Sequence, residues 1–226
     1  MKYCIILMLL LELQACRTDN IDGSEIKVFN DTFDDLIEEI GALDLLEIPP
    51  LPILFFDNND AMGYDTVVYN KKIAEIEKEN RRMKDTTLVI AVFDTLFTCY
   101  NLDLNIENIE KQLPELSYMD ALNALKDSLI VSQPLNLSEI ESKKDIKLKY
   151  YSEFPKGFKI WERENYDFLF SGVLRMSRIY FDEKKQVGLF YCSYACGRLC
   201  GEEAIICIRK NSNKWSIEKT ILLSLS

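Results

Sequence analysis

Three cysteines lie at equal spacing near the C-terminus, at Cys192, Cys196 and Cys200. Thiols at this density can bind a metal, act as nucleophiles or form disulfides. Zinc sites place closer pairs of cysteines on two separate turns, so the spacing does not match a zinc ligand set. A reactive thiol needs a positive neighbour, and Arg198 is the only nearby candidate. The spacing therefore favours a structural role over a catalytic one.

The sequence contains no histidine. This absence excludes Ser-His-Asp and Cys-His catalytic groups, zinc sites that contain histidine, and an imidazole general base. Chemistry through lysine, tyrosine or carboxylates stays possible. Because no histidine base can be paired with a thiol, we expect no nucleophilic cysteine. We assign no catalytic, cofactor-binding or metal-binding residue from the sequence.

Three carboxylates, Asp94, Glu202 and Glu203, are the candidates for an enzymatic alternative, a hydrolase that acts on glycans. Glycosidases need two carboxyl groups on either side of one bond. Asp94 follows a branched apolar run, a position that catalytic carboxylates share with residues that cap loops. Since no second acid can be paired with Asp94 from the sequence, capping is the simpler interpretation.

The bulk composition is that of a globular protein. The chain has 226 residues, of which 48% are hydrophobic, and its formal net charge is −10. This apolar content is sufficient for the core of a single domain. Because phosphate binding needs a basic stripe and none is visible, we expect no nucleic-acid partner.

The first fifteen residues have the pattern of a signal peptide. Met1-Lys2-Tyr3 gives a positively charged start, and residues 4–11 are an unbroken apolar run too short to span a bilayer as a helix. Leu13-Gln14-Ala15-Cys16 follows, and it resembles the lipobox of bacterial lipoproteins. The resemblance implies that residues 1–15 are a signal peptide and that Cys16 is lipidated and becomes the N-terminus.

Lipidation would determine where the protein resides. Two or more acyl chains at Cys16 give stable membrane attachment, with the body of the protein in the cell envelope outside the cytoplasm. Arg17 stands where some bacteria use Asp to retain lipoproteins in the inner membrane, so the resemblance favours the outer membrane. We expect residues 16–29 to be the lipidated N-terminus and spacer, and residues 30–226 to be one domain.

Disulfides persist in that compartment. A bridge across a tight turn is the best interpretation of Cys196 and Cys200, and its short loop predicts a stabilisation of about 2 kcal/mol. Cys192 with Cys207 is a second possibility if the hairpin register places them opposite each other. Five cysteines follow Cys16, an odd number, so we expect Cys99 to be a buried free thiol.

Hydrophobic periodicity predicts helices in the first two thirds of the chain. Residues 31–40 should form a helix that ends at Gly41 and presents one apolar face, made of Phe33, Leu36, Ile37 and Ile40. Further helices are predicted over 70–85, 106–113 and 118–129. Residues 86–93 predict a buried central strand, and residues 146–151 an edge strand.

The pattern is β from Gly172 onward. Strands are predicted over 173–181, 187–196, 204–209 and 214–223, and short turns make neighbours antiparallel. In the last strand Trp215, Ile217, Ile221 and Leu223 share one parity and should face the core. We expect an α+β fold in which N-terminal helices pack on one face of a C-terminal antiparallel meander of about four or more strands.

Three segments of this meander, 177–181, 196–202 and 214–215, resemble the C-terminal part of uncharacterised envelope lipoproteins. That resemblance implies no established activity. We therefore expect a lipid-anchored envelope protein that serves as a structural module or binds an envelope protein, a glycan or a small ligand. The alternative is an envelope hydrolase that uses Asp94, Glu202 or Glu203 on a glycan.

Overall fold

The computed structural model describes residues 23–43, 55–56, 62–63, 69–71, 73–78, 86–127 and 129–225. The lipobox, Cys16 and the spacer as far as residue 22 lie outside the described residues.

Three helices and eleven strands have defined bounds. The helices are α1 (Gly23–Glu39), α2 (Ile106–Gln112) and α3 (Met119–Ala124), and residues 69–71 and 73–78 are also helical. The strands are β1 (Phe55–Phe56), β2 (Met62–Gly63), β3 (Leu88–Val92), β4 (Thr95–Leu96), β5 (Gln133–Pro134), β6 (Ile146–Tyr150), β7 (Leu169–Met176), β8 (Tyr180–Phe181), β9 (Val187–Gly197), β10 (Cys200–Asn211) and β11 (Lys214–Leu225).

The fold is α+β, and its main sheet has seven strands. Their order is β11-β10-β9-β7-β3-β6, with β8 paired to β9. The antiparallel meander predicted from the sequence is present in β7 and β9 to β11. The sheet as a whole is mixed, because β3 pairs in parallel with both β6 and β7. Parallel pairing needs long crossover connections, and the segments between these strands provide them.

Helix α1 packs on one face of the sheet, which we call the α1 face. The predicted apolar side of α1 is confirmed, since Phe33, Leu36 and Ile37 are fully buried. Gly41 ends the helix with a φ of 65°, a left-handed conformation that glycine adopts without strain.

The start of α1 differs from the prediction. The helix begins at Gly23 rather than near residue 31, and Val28 and Phe29 in its second turn are fully buried. Residues 23–29, which the sequence analysis assigned to the spacer, are part of helix α1. Local sequence did not reveal these turns because Glu25 is held by residues more than 150 positions away.

The opposite face of the sheet is covered in two separate places. Helices α2 and α3 pack over β8 to β11 through Ile109, Tyr118 and Leu122. Short 3-10 segments over 151–165 pack over β3 and β7 through Phe154 and Ile160. Helices thus lie on both faces, so the expected packing on one face was only partly right. A cleft lies on the face opposite α1, near the turn from β9 to β10.

A β-bulge divides β11. Ile217 pairs with Ile208 of β10, and Lys219 pairs with Cys207, the residue before Ile208. Glu218 therefore has no cross-strand partner. Because of this extra residue, odd-numbered side chains point to one face of the sheet before Glu218 and to the other face after it. Trp215 and Ile217 therefore face α1, whereas Ile221 and Leu223 face α2 and α3. All four are at least partly buried, but the prediction that they share one face was wrong.

Among the helices that the structure describes, none has the length and apolar character needed to cross a membrane.

Candidate functional site

The cleft lies on the face opposite α1, at the end of the sheet where β9 turns into β10. It has a volume of about 440 Å³. Its floor is formed by side chains of β7, β9 and β10, and its walls by Phe93 after β3 and by the β9–β10 turn around Arg198. Most of the stretch Gly197–Gly201, whose cysteines suggested chemistry, therefore borders the cleft.

A row of polar residues crosses the floor of the cleft. Arg175 of β7 is paired directly with Ser193 of β9, Ser193 with Glu203 of β10, and Glu203 with Ser224 of β11. Directly paired residues point to the same face, and neighbouring strands lie about 5 Å apart. The row therefore presents one cation, two hydroxyls and one carboxylate in line. The adjacent row is Val173 and Ala195, which are small and apolar.

Arg175 is the central cation of this row. Its guanidinium carbon lies 3.8 Å from the ring centre of Phe97 and 5.5 Å from that of Phe93. The side chain is half-buried, and no described carboxylate forms an ion pair with it. Stacking on aromatic rings orients the planar guanidinium and leaves its N–H groups available. The arrangement can accept an anionic group from the cleft.

Tyr191 of β9 lies next to the polar row and interacts with Glu203. Burial raises the pKa of its phenol, and the neighbouring Glu203 carboxylate raises that pKa further. The phenol therefore stays protonated at neutral pH and can donate a hydrogen bond to Glu203. The Tyr191 ring also packs edge-on against the Phe97 ring, with the two ring centroids 5.5 Å apart. This contact helps to fix the position of the Phe97 ring, on which Arg175 stacks.

A disulfide closes the rim of the cleft. The bridge predicted between Cys196 and Cys200 is present, with Cα atoms 5.2 Å apart. It fixes the β9–β10 turn, from which Arg198 lies over the Phe158 ring at 5.5 Å and Leu199 is 91% exposed.

The second possibility, a bridge between Cys192 and Cys207, depended on a register that the structure does not have. Cys192 is directly paired with Ala204 and packs on the α1 face, whereas Cys207 is paired with Leu189 and packs on the opposite face. Cys99 is a buried free thiol, as predicted. Burial raises the pKa of all three free thiols, to about 12 for Cys207. They are neutral at physiological pH and poor nucleophiles.

Two of the three candidate carboxylates, Glu202 and Glu203, border the cleft, and Asp94 does not. Glu202 and Glu203 are consecutive in β10, so their side chains point to opposite faces of the sheet and do not converge. Glu202 lies near Glu39 of α1, and burial together with that second acid raises its pKa. Asp94 accepts hydrogen bonds from the Ser152 amide, at 3.1 Å, and from the Ser152 hydroxyl. Asp94 therefore caps the loop that follows β6.

The described part of the chain contains no group of three or more Cys, Asp or Glu side chains arranged to hold a metal ion. No protein-family model, curated protein or solved structure matches the chain. The cleft is therefore the basis on which a function can be inferred.

Sequence reasoning missed Arg175 and Ser193. One signal was available: Arg175 is the only charged residue within the apolar strand Leu169–Met176. A charged side chain in a buried strand needs an opposite charge or hydrogen bonds that offset the loss of water, and it is often functional. The row itself could not be found from the sequence, because it exists only once the registers of four strands are known.

Proposed function

We propose that this chain is a lipid-anchored protein of the cell envelope that binds a small acid-bearing ligand in the cleft. The observation that carries the proposal is the Arg175 guanidinium, which is half-buried on Phe97 and has no carboxylate partner among the described residues. Charges that are withdrawn from water are normally paired. An anionic group of a ligand would complete that pairing.

The rest of the polar row narrows the class of ligand. Ser193, Glu203 and Ser224 offer hydroxyl and carboxylate groups that bind hydroxyls, at about 5, 10 and 15 Å from Arg175 by strand spacing. Phe93 offers an aromatic wall. A sugar acid has both a carboxylate for Arg175 and hydroxyls for the other positions. An acid-bearing glycan is therefore the ligand class that we propose.

Location in the envelope rests on the lipobox resemblance at Cys16 and is supported by the disulfide at the rim of the cleft. Disulfides are stable in oxidising compartments and rare in the cytoplasm. The Cys196–Cys200 bridge shapes the wall that carries Arg198. A site built with a disulfide is suited to work outside the cytoplasm.

The hydrolase alternative gains no support from the geometry. Glu202 and Glu203 point to opposite faces, and Asp94 is engaged by Ser152 outside the lining of the cleft. Two carboxylates flanking one glycosidic bond are needed for that chemistry. We therefore propose binding rather than glycoside hydrolysis.

A ligand screen tests the proposed function. The melting temperature of the full-length protein is measured with oligosaccharides that contain uronic or sialic acids, each matched with its neutral parent sugar. Binding to the folded state raises the melting temperature. We expect the acid-bearing sugars to raise it and the neutral sugars to leave it unchanged. Equal shifts for both members of a pair, or no shift with any sugar acid, would contradict the proposal.

The membrane anchor is tested separately. We expect the wild-type chain in the membrane fraction and the Cys16→Ala variant in the soluble fraction, because only a lipidated cysteine supplies acyl chains. A Cys4→Ala variant is the control, since Cys4 lies in the leader and outside the lipobox. Membrane retention of the Cys16→Ala variant would rule out lipidation at Cys16 as the anchor.

A further inference from the structure

Two turns lie side by side at the end of the sheet opposite the cleft. Residues 182–186 join β8 to β9 and residues 211–214 join β10 to β11. Val187 is directly paired with Arg209, and the Lys210 amide donates to the Gln186 carbonyl at 2.8 Å. These turns carry Lys184, Lys185 and Lys214, and Lys210 lies in β10 directly before the second turn; we call these four lysines the lysine end.

The lysine end is a local exception in a chain whose net charge is −10. Lys185 lies 5.5 Å over the Phe181 ring and Lys210 lies 5.8 Å over the Trp215 ring. Asp182 is occupied within its own turn, where it accepts hydrogen bonds from the Gln186 amide at 2.6 Å and the Val187 amide at 2.8 Å. Lys185 and Lys210 thus lie over two neighbouring rings, whose centroids are 5.4 Å apart, and Glu183 is the one exposed acid in the two turns.

The chain enters the domain at this same end. The Lys185 ammonium donates to the Ser24 hydroxyl at 3.3 Å, and Gly23 is the first residue of α1. Cys16 lies seven residues before Gly23, which allows a reach of about 25 Å. Strand β9 has eleven residues and is about 35 Å long. An anchor at Cys16 therefore reaches the lysine end more easily than the cleft end.

We infer that the lysine end docks on the anionic headgroups of the membrane that holds the chain, so that the cleft faces away from that membrane. This inference rests on the proposed attachment at Cys16. Lysines close to an anionic membrane surface are attracted to it, and the attraction falls off within a Debye length. The basic residues at the cleft end, Lys156, Lys159 and Arg198, are placed beyond the reach of a short tether.

The test uses the purified full-length chain on vesicles of phosphatidylcholine with or without phosphatidylglycerol, with a spin-labelled headgroup as quencher. A fluorophore is attached at Asn213→Cys, in the lysine end, or at Phe158→Cys, beside the cleft. We expect strong quenching at position 213 that increases with phosphatidylglycerol, and weak quenching at position 158. Equal quenching at both positions, stronger quenching at 158, or no dependence on phosphatidylglycerol would overturn the inference.

A matched pair of variants tests the lysines. Replacing Lys184 and Lys214 with Gln should lower the ratio of docked to undocked protein about 25-fold, or about fivefold per lysine. Lys156→Gln with Lys159→Gln removes the same charge at the cleft end and should change the ratio little. Equal effects of the two pairs would contradict docking through the lysine end. If the chain attaches to vesicles only when phosphatidylglycerol is present, the Cys16 anchor fails while the docking surface stands.

Discussion

The Glu25 carboxylate lies 1% exposed under the first turns of α1. Both of its oxygens accept from Arg178 Nε at 3.0 Å, and one accepts from the Ile179 amide at 2.8 Å. Arg178 also donates to the Val131 carbonyl at 2.7 Å. This ion pair joins α1 to the segment between β7 and β8 and positions the helix start that the sequence did not predict.

Replacement of Glu25 by Ala should destabilise the protein strongly. The change leaves the Arg178 guanidinium without its anion in a largely buried place, and breaking a buried ion pair costs about 3–5 kcal/mol. Urea unfolding measures the free energy of unfolding. Glu107→Ala is the control, because its pair with Lys111 is exposed and should cost about 0.5 kcal/mol or less. A loss below about 1 kcal/mol for Glu25→Ala would contradict the structural role given to this pair.

Glu202 predicts a pH dependence of stability. Burial and the nearby Glu39 raise its pKa in the folded state, so the folded protein binds more protons than the unfolded chain just above the ordinary pKa of a glutamate. The contribution of Glu202 to the free energy of unfolding therefore decreases as the pH rises through the pKa that Glu202 has in the folded protein. We expect Glu202→Gln to stabilise the protein at pH 7, by up to about 0.5 kcal/mol for this largely exposed group.

The melting temperature as a function of pH checks this expectation. The gain from Glu202→Gln should vanish at acid pH, where Glu202 is protonated in both states. Glu164→Gln removes one exposed negative charge far from Glu39 and controls for net charge. A gain that persists unchanged at acid pH would show that the electrostatic cause is wrong.

The elements were predictable where the pattern is local. The spacing of Phe33, Leu36 and Ile37 identified the buried side of α1, and Gly41 identified its end. The alternation in β11 identified its buried residues but not the face that each one occupies. The bulge at Glu218 has no local sequence signal, because it is held by groups that are distant in the chain.

Three side chains hold that bulge. The Glu218 carboxylate accepts from the Tyr118 hydroxyl at 2.5 Å and from Arg209 Nε at 2.8 Å. Arg209 donates to Glu115 at 2.5 Å, and the Tyr118 hydroxyl also donates to the Ile208 carbonyl at 3.1 Å. Burial and Glu218 both raise the pKa of the Tyr118 phenol, so it stays a donor. The cluster attaches the α3 region to the two last strands.

Deletion of residue 218 should cost no more than truncation of its side chain. Without the extra residue, regular alternation from Ile217 to Lys219 keeps the present cross-strand pairs, so Trp215 and Ile221 stay on opposite faces. The deletion and Glu218→Ala both remove the carboxylate that accepts from Tyr118 and Arg209, and each should lower the free energy of unfolding in urea by about 1–3 kcal/mol. A deletion variant that loses cooperative unfolding, while Glu218→Ala keeps it, would contradict this account of the bulge.

At the scale of the whole molecule, the sequence indicated the α+β class and the antiparallel meander but not the position of β3. Its pairing with β6 and β7 links residues more than 50 positions apart, and local patterns carry no information about such contacts. The cleft could not be predicted for the same reason, because it also depends on contacts between residues that are distant in the chain. Its polar row needs the registers of β7, β9, β10 and β11 together, and its walls come from Phe93 after β3 and from the β9–β10 turn.

The central claim is that Arg175 binds the acidic group of a ligand in the cleft. Calorimetry with a sugar acid from the screen and its uncharged carboxamide, on the wild type, Arg175→Gln and the control Lys214→Gln at the opposite end of the sheet, tests it most directly. Hydrogen bonds to charged groups contribute about 1.5–3 kcal/mol, so the wild type and Lys214→Gln should bind the acid at least about tenfold more tightly than the carboxamide. Arg175→Gln should bind the two equally. An Arg175→Gln protein that keeps the wild-type preference for the acid would contradict the account.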